Sequence, residues 1–128
     1  HPARLRTLAM LRSGELCPCQ ITEVLQLARS TVSSHLRELR RAGLITERKH
    51  GRWVYFALSE ARDSRPWLEA ALSTARDDPQ FQADDLKVEE LRRLDVEDLC
   101  RLGYEAARAK AEVAPSGRGN RRRPEDET

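Results

Sequence analysis

The sequence predicts a mostly α-helical fold that carries a single β-hairpin. Three observations predict it. A short helix opening at Pro18 and a second from Thr31 to Ala42 are separated by about four residues, and the second is amphipathic and basic. Two β-rich runs then flank a Lys-His-Gly-Arg tip. After Ser59 the pattern returns to helical spacing.

Taken in order, Ala3 to Arg12 places Leu5, Leu8, Ala9 and Leu11 near helical spacing, and Ser13-Gly14 stops it. Pro18 suits a first helical position, which makes Cys17 the N-cap and Ile21, Val24 and Leu25 the buried face. Ser30 is the expected N-cap of the next helix, because its hydroxyl can accept a backbone N–H of the first turn. That helix buries Val32, Leu36 and Leu39, and Gly43 ends it. Leu44–Arg48 and Trp53–Leu58 read as strands around Lys49, His50, Gly51 and Arg52. Together these elements make a winged helix-turn-helix.

Pro66–Arg76 is the next expected helix, with Trp67, Leu68, Ala71, Leu72 and Ala75 on one face, and Asp77-Asp78-Pro79 breaks it. Phe81–Leu94 follows, with Leu86, Leu91 and Leu94 apolar. Asp95 then caps a helix from Val96 to Ala111, with Asp98 completing a variant capping box. The division is therefore 1–60 for a winged helix-turn-helix domain, 61–112 for C-terminal helices serving dimerisation or sensing, and 113–128 for a disordered tail with nothing to bury.

The charge balance divides the same way. The 128 residues hold 23 Lys+Arg against 21 Asp+Glu, a net of only +2. Residues 1–60 hold ten basic and five acidic side chains, whereas 61–114 hold nine and thirteen. A basic half joined to an acidic half implies a polyanion partner for the first and another task for the second. Aromatic residues are 5% of the chain, so the core is aliphatic. The absence of an apolar run of about 18 residues argues against a membrane span. Three cysteines cannot complete an intramolecular disulfide framework, and with no secretory signal in view a reducing cytoplasm is the expected location.

The stretch from His1 to about Glu60 resembles the arsenical-resistance (ArsR/SmtB) family of bacterial metalloregulatory repressors. The resemblance rests on GELCPC at 14–19, STVSSHLRELRRAGLI at 30–45 and RKHGRWVYF at 48–56, in that order. It implies a winged-helix homodimer that binds operator DNA and leaves it when an inducer binds, and a further helix ahead of His1. Recognition-helix residues reach base edges from the N-terminal half of the helix, so Arg29, Ser30, Thr31, Ser33, Ser34, His35 and Arg37 are the candidate DNA contacts. Lys49, His50 and Arg52 of the wing are the candidates for flanking backbone or minor groove. For each exposed cation the competing reading is an ordinary solvated charge, and for His35 it is a partly buried helix residue.

Cys17 and Cys19, at a helix start with one residue between them, can converge on one soft ion. The helix N-terminus and basic neighbours are expected to favour their thiolates. The family's arsenical motif, ELCVCDLC, carries a third cysteine where this chain has Thr22. Cys100 either fills that vacancy, from the same or the partner chain, or is a buried inert cysteine. The expected inducer is As(III) or Sb(III), with no catalytic cofactor. A reversible thiol-redox or reactive-sulfur sensor using the same cysteines, and a constitutive architectural or protein-interaction module, are the alternatives. Zinc sensing fits poorly, since the helix after the wing lacks the histidine the family's interfacial zinc sites use. No Gly-rich phosphate loop or nucleophile–base arrangement is present, so the chain does not read as an enzyme.

Overall fold

A computed structural model describes residues 1–113. Its elements are α1 (Pro2–Met10), α2 (Pro18–Leu25), α3 (Arg29–Arg41), β1 (Ile45–His50), β2 (Trp53–Leu58), α4 (Arg65–Ala75), α5 (Pro79–Arg92), α6 (Val96–Leu102) and α7 (Tyr104–Val113). The helix-turn-helix is α2–α3, and the antiparallel β1–β2 hairpin is its wing. Val113 ends α7; the remainder of the tail expected over 113–128 lies outside the described residues.

The core is a large, mainly aliphatic cluster around α1, which packs against α3, α4 and α5, and a smaller one of Ala9, Ala75 and Phe81. Met10, Leu16, Ile21, Ile45 and Leu91 are essentially inaccessible, and side chains of this size each stabilise the fold by about 1.5–3 kcal/mol when fully buried. One buried polar clamp joins distant segments. The Arg6 guanidinium donates from Nε and Nη2 to both oxygens of Asp84, at 2.8 and 2.9 Å.

Several expected details change in three dimensions. Ala28, not Ser30, occupies the N-cap of α3: its backbone is extended and its carbonyl accepts from Val32 N–H at 3.0 Å. The turn is short because Gln26 closes α2 in the left-handed conformation. That pulls Ser30 into the first helical turn. The hairpin is also tighter than expected. His50 pairs with Trp53, leaving Gly51-Arg52 as the turn and placing Lys49 and His50 on β1.

Trp67 does not join the buried face of α4; it is 72% exposed, while Leu68 and Ala75 set the buried line. Leu86 is 69% exposed. The buried side of α5 runs through Phe81, Asp84, Val88 and Leu91, a helical repeat from which Leu86 points away. The single helix expected over 96–111 is two helices. Gly103 sits at φ 92°, ψ 170°, a conformation that a side chain opposes, and turns the chain between α6 and α7. Asp95 does cap α6, accepting from Glu97 N–H at 3.0 Å. Asp98 does not close a capping box; it is buried and pairs with Lys110 at 3.1 Å.

Candidate thiol cluster and nucleic-acid interface

The residue before the cysteine pair is anchored to the wing. Leu16 N–H donates to Phe56 O at 3.0 Å and Phe56 N–H to Leu16 O at 2.8 Å. Cys17 is thereby fixed at the mouth of α2, where it serves as the N-cap. Its sulfur accepts from the Gln20 backbone N–H, and Gln20 Oε1 accepts from Cys17 N–H at 2.9 Å. Sequence reading did not single out Gln20, although its place three residues beyond the N-cap is the position a capping box uses.

Helix α6 packs against α2 and delivers Cys100 to this point. The sulfurs of Cys17, Cys19 and Cys100 all lie within 4.8 Å of one another. Cys19 and Cys100 are joined as a disulfide, and Cys17 is a free thiol. Cys100 therefore meets Cys17 and Cys19 of its own chain.

Cys17 is 1% exposed, and burial pushes its thiol up from the usual range. Backbone N–H groups of Gln20 and Cys19 work the other way but do not overcome the loss of water. This corrects the expectation that the helix start favours the thiolate at Cys17. Such a thiol loses its proton when an ion replaces it, so ligation there releases a proton. With the Cys19–Cys100 bond opened, an ion placed among sulfurs this close lies no farther than roughly 2.8 Å from each, against a thiolate–zinc length of about 2.3 Å. Once that bond is reduced, the Cys19 and Cys100 sulfurs have only to move apart beside Cys17 to offer a soft S₃ site.

The proposed DNA face lies on the neighbouring element. Helix α3 buries Val32, Leu36 and Leu39 against the core and exposes Arg29, Ser30, Thr31, Ser33, Ser34 and Arg37. His35 does not share that face. It is 7% exposed, and its Nδ1 accepts from Arg4 Nε at 3.0 Å, because position 35 follows the same buried line as Val32 and Leu39. On the wing Lys49 and Arg52 are exposed and His50 is half-buried.

Two of these cations already touch α6. Arg29 Nη2 donates to the Cys100 carbonyl at 3.1 Å. Arg52 Nη2 lies 3.7 Å from Glu97 Oε2, its guanidinium 5.6 Å from the Trp53 ring centre. Glu97 carried no signal in the sequence beyond being an acidic residue in a first helical turn.

Residues 1–47 match the family described as "Bacterial regulatory protein, arsR family". The chain is similar to arsenic resistance transcriptional regulator ArsR1 of Pseudomonas putida, with 37% identity over 87 residues that span 66% of each chain. It is similar also to ArsR2 of that organism, 34% identical over 79 residues, which are 61% of this chain and 67% of that one. The chain thus spans about two thirds of the length of these curated relatives. The transcriptional repressor BigR from Xylella fastidiosa has the same fold: TM-score 0.52, 24% identity, covering 61% of this chain and 78% of that one.

Proposed function

The chain belongs to the arsR family of bacterial regulatory proteins, which are transcriptional regulators and not enzymes, and from that premise we propose that it is a repressor released from operator DNA by As(III) or Sb(III). In this reading the protein acts as a homodimer in the cytoplasm. Cys17, Cys19 and Cys100 hold the inducer. Ser30, Thr31, Ser33, Ser34 and Arg37 meet the major groove, Arg29 at the start of the same helix meets a phosphate at its edge, and Lys49, His50 and Arg52 meet the flanking backbone. The observation that carries it is the meeting of three sulfurs within 4.8 Å where α6 reaches the start of α2, the first helix of the helix-turn-helix. Relatives named for arsenic resistance support the choice of ion. The exposed Trp67 and Leu86 support a partner copy over the C-terminal helices. Among the described residues no helix is long and apolar enough to cross a membrane.

The mechanism is linkage. An ion bound by α2 and α6 together stabilises one placement of α6 relative to α2 and α3. If that placement fits DNA less well, ion and DNA exclude one another by the same free energy in both directions. A tenfold loss of affinity requires only about 1.4 kcal/mol, within the usual 1–3 kcal/mol range of such couplings.

The Cys19–Cys100 disulfide favours a second reading, in which oxidation of the same thiols releases the DNA. A gel shift on a duplex spanning the promoter of the protein's own transcription unit separates the two. Metalloid sensing predicts release of the reduced protein by arsenite, and redox sensing predicts release by peroxide or persulfide with the mass loss of a disulfide. Binding unchanged at saturating arsenite sinks the first reading. Binding without sequence preference under either condition points to an architectural protein instead.

A further inference from the structure

Helix α6 carries one of the three thiols, and it also holds two side chains of the proposed DNA face. Its carbonyl at Cys100 lies in the last turn, where carbonyls have no partner within the helix. Arg29, the first residue of α3, fills that need at 3.1 Å. At the opposite end of α6, Glu97 in the first turn faces Arg52 at the hairpin turn. The recognition helix and the wing are thus tied to one seven-residue helix, whose placement against α2 is fixed by the covalent link from Cys100 to Cys19.

We infer that α6 is a capture arm: when the thiol cluster is closed, it withdraws Arg29 and Arg52 from nucleic-acid phosphates, and when the cluster opens it gives them back. This rests on the reading of the chain as a thiol-controlled DNA-binding regulator and adds the route by which the thiols reach the DNA. The two contacts are alternatives to phosphate contacts for chemical reasons. A guanidinium donating to the Cys100 carbonyl has one N–H fewer and is held at α6, and one paired with Glu97 also has its charge offset, so each has less to offer a phosphate. Neither contact involves groups in the middle of α3. Closure therefore weakens backbone attachment while the base-reading surface of Ser33, Ser34 and Arg37 stays intact.

The property to measure is the salt dependence of DNA binding, because each phosphate contact contributes about 0.9 to the slope of log K against log salt. The full-length protein is compared in two forms on a fluorescent 30-base-pair duplex. One is the disulfide form. The other is treated with dithiothreitol, in which each sulfur gains a hydrogen and the reagent closes to its own disulfide. The open form is expected to show a steeper slope by about 1.8 per protomer, the share of two phosphate contacts. Glu97→Gln in the closed form is expected to recover about 0.9 of that, since Arg52 alone is freed. Arg52→Ala is expected to lower the slope of the open form and leave the closed form unchanged. Equal slopes for the two wild-type forms, or a Glu97→Gln protein indistinguishable from wild type when closed, overturns the capture arm while leaving a DNA-binding regulator in place. Failure of both forms to bind the duplex at low salt overturns the regulator reading and the capture arm with it.

Discussion

Cys19 and Cys100, 81 residues apart in sequence, are bonded through their sulfurs with Cα atoms 5.4 Å apart, and the free thiol of Cys17 stands beside them. Among the described residues this is the covalent tie between the acidic C-terminal half and the proposed DNA reader.

Removing a single thiol should separate sensing from binding. Cys100→Ser is expected to bind DNA within about twofold of the reduced wild type. It should need at least about tenfold more arsenite for half-release, an effect of ~1.4 kcal/mol. Titration of a labelled duplex checks this. A Cys100→Ser protein that responds as wild type does removes Cys100 from the site.

The exposed cations should divide into two kinds. Arg37→Ala is expected to cost about 1–3 kcal/mol on the preferred sequence and to relax specificity at one position. Lys49→Ala is expected to weaken all sequences alike and to lower the salt slope by about 1. Competition assays with specific and random duplexes distinguish them, and a Lys49→Ala loss confined to the preferred sequence contradicts the wing assignment.

Asp84 accepts both hydrogen bonds of the Arg6 fork and a third from Gln80 Nε2 at 3.0 Å, with its side chain 4% exposed. Asp84→Asn puts an amide N–H against a guanidinium and should cost about 1.5–3 kcal/mol in urea unfolding. A change below 0.5 kcal/mol, by the scale of ordinary surface substitutions, contradicts a buried clamp between α1 and α5.

The corner between α6 and α7 should be intolerant of a side chain. A Cβ at Gly103 meets nothing within 4 Å, so Gly103→Ala isolates the backbone cost of φ 92°. That cost is about 1–3 kcal/mol, readable as a lowered melting temperature. An unchanged melting temperature indicates that α6 and α7 can straighten into one helix.

His35 predicts an acid-sensitive edge. Burial, and then the charge of Arg4, push its protonation below the usual histidine range, and its Nδ1 lone pair is already used by Arg4 Nε. The folded state therefore disfavours a proton that the unfolded chain accepts near pH 6.5. His35 contributes full stability above that pH and loses it as pH falls from about 6.5 toward the lower folded value. Denaturant midpoints for wild type and His35→Gln should converge below that window and differ above it. Parallel pH curves contradict the assignment.

Local chemistry made much of the fold legible before any coordinates. Cys17 as N-cap, Pro18 at the first position and Gly43 beyond α3 follow from backbone requirements that a few neighbouring residues satisfy. The pairing of Cys100 with Cys19 was not legible, because no spacing rule spans 81 residues and only the packing of α6 on α2 decides it. His35 lay between two faces of the same periodic pattern, and the deciding partner, Arg4, comes from α1. Ser30 looked the better cap on residue type alone, but the closing geometry of α2 at Gln26 put Ala28 there. The arginine contacts of α6 required knowing where that helix sits, which charge counts do not reveal.

The most direct test of the three-thiol site is the sulfur count around arsenic. X-ray absorption at the arsenic edge of the reduced protein, loaded with one equivalent of arsenite, should show three sulfur neighbours and no oxygen, and two sulfurs in Cys100→Ser. Two sulfurs and an oxygen in the wild-type protein contradict the site.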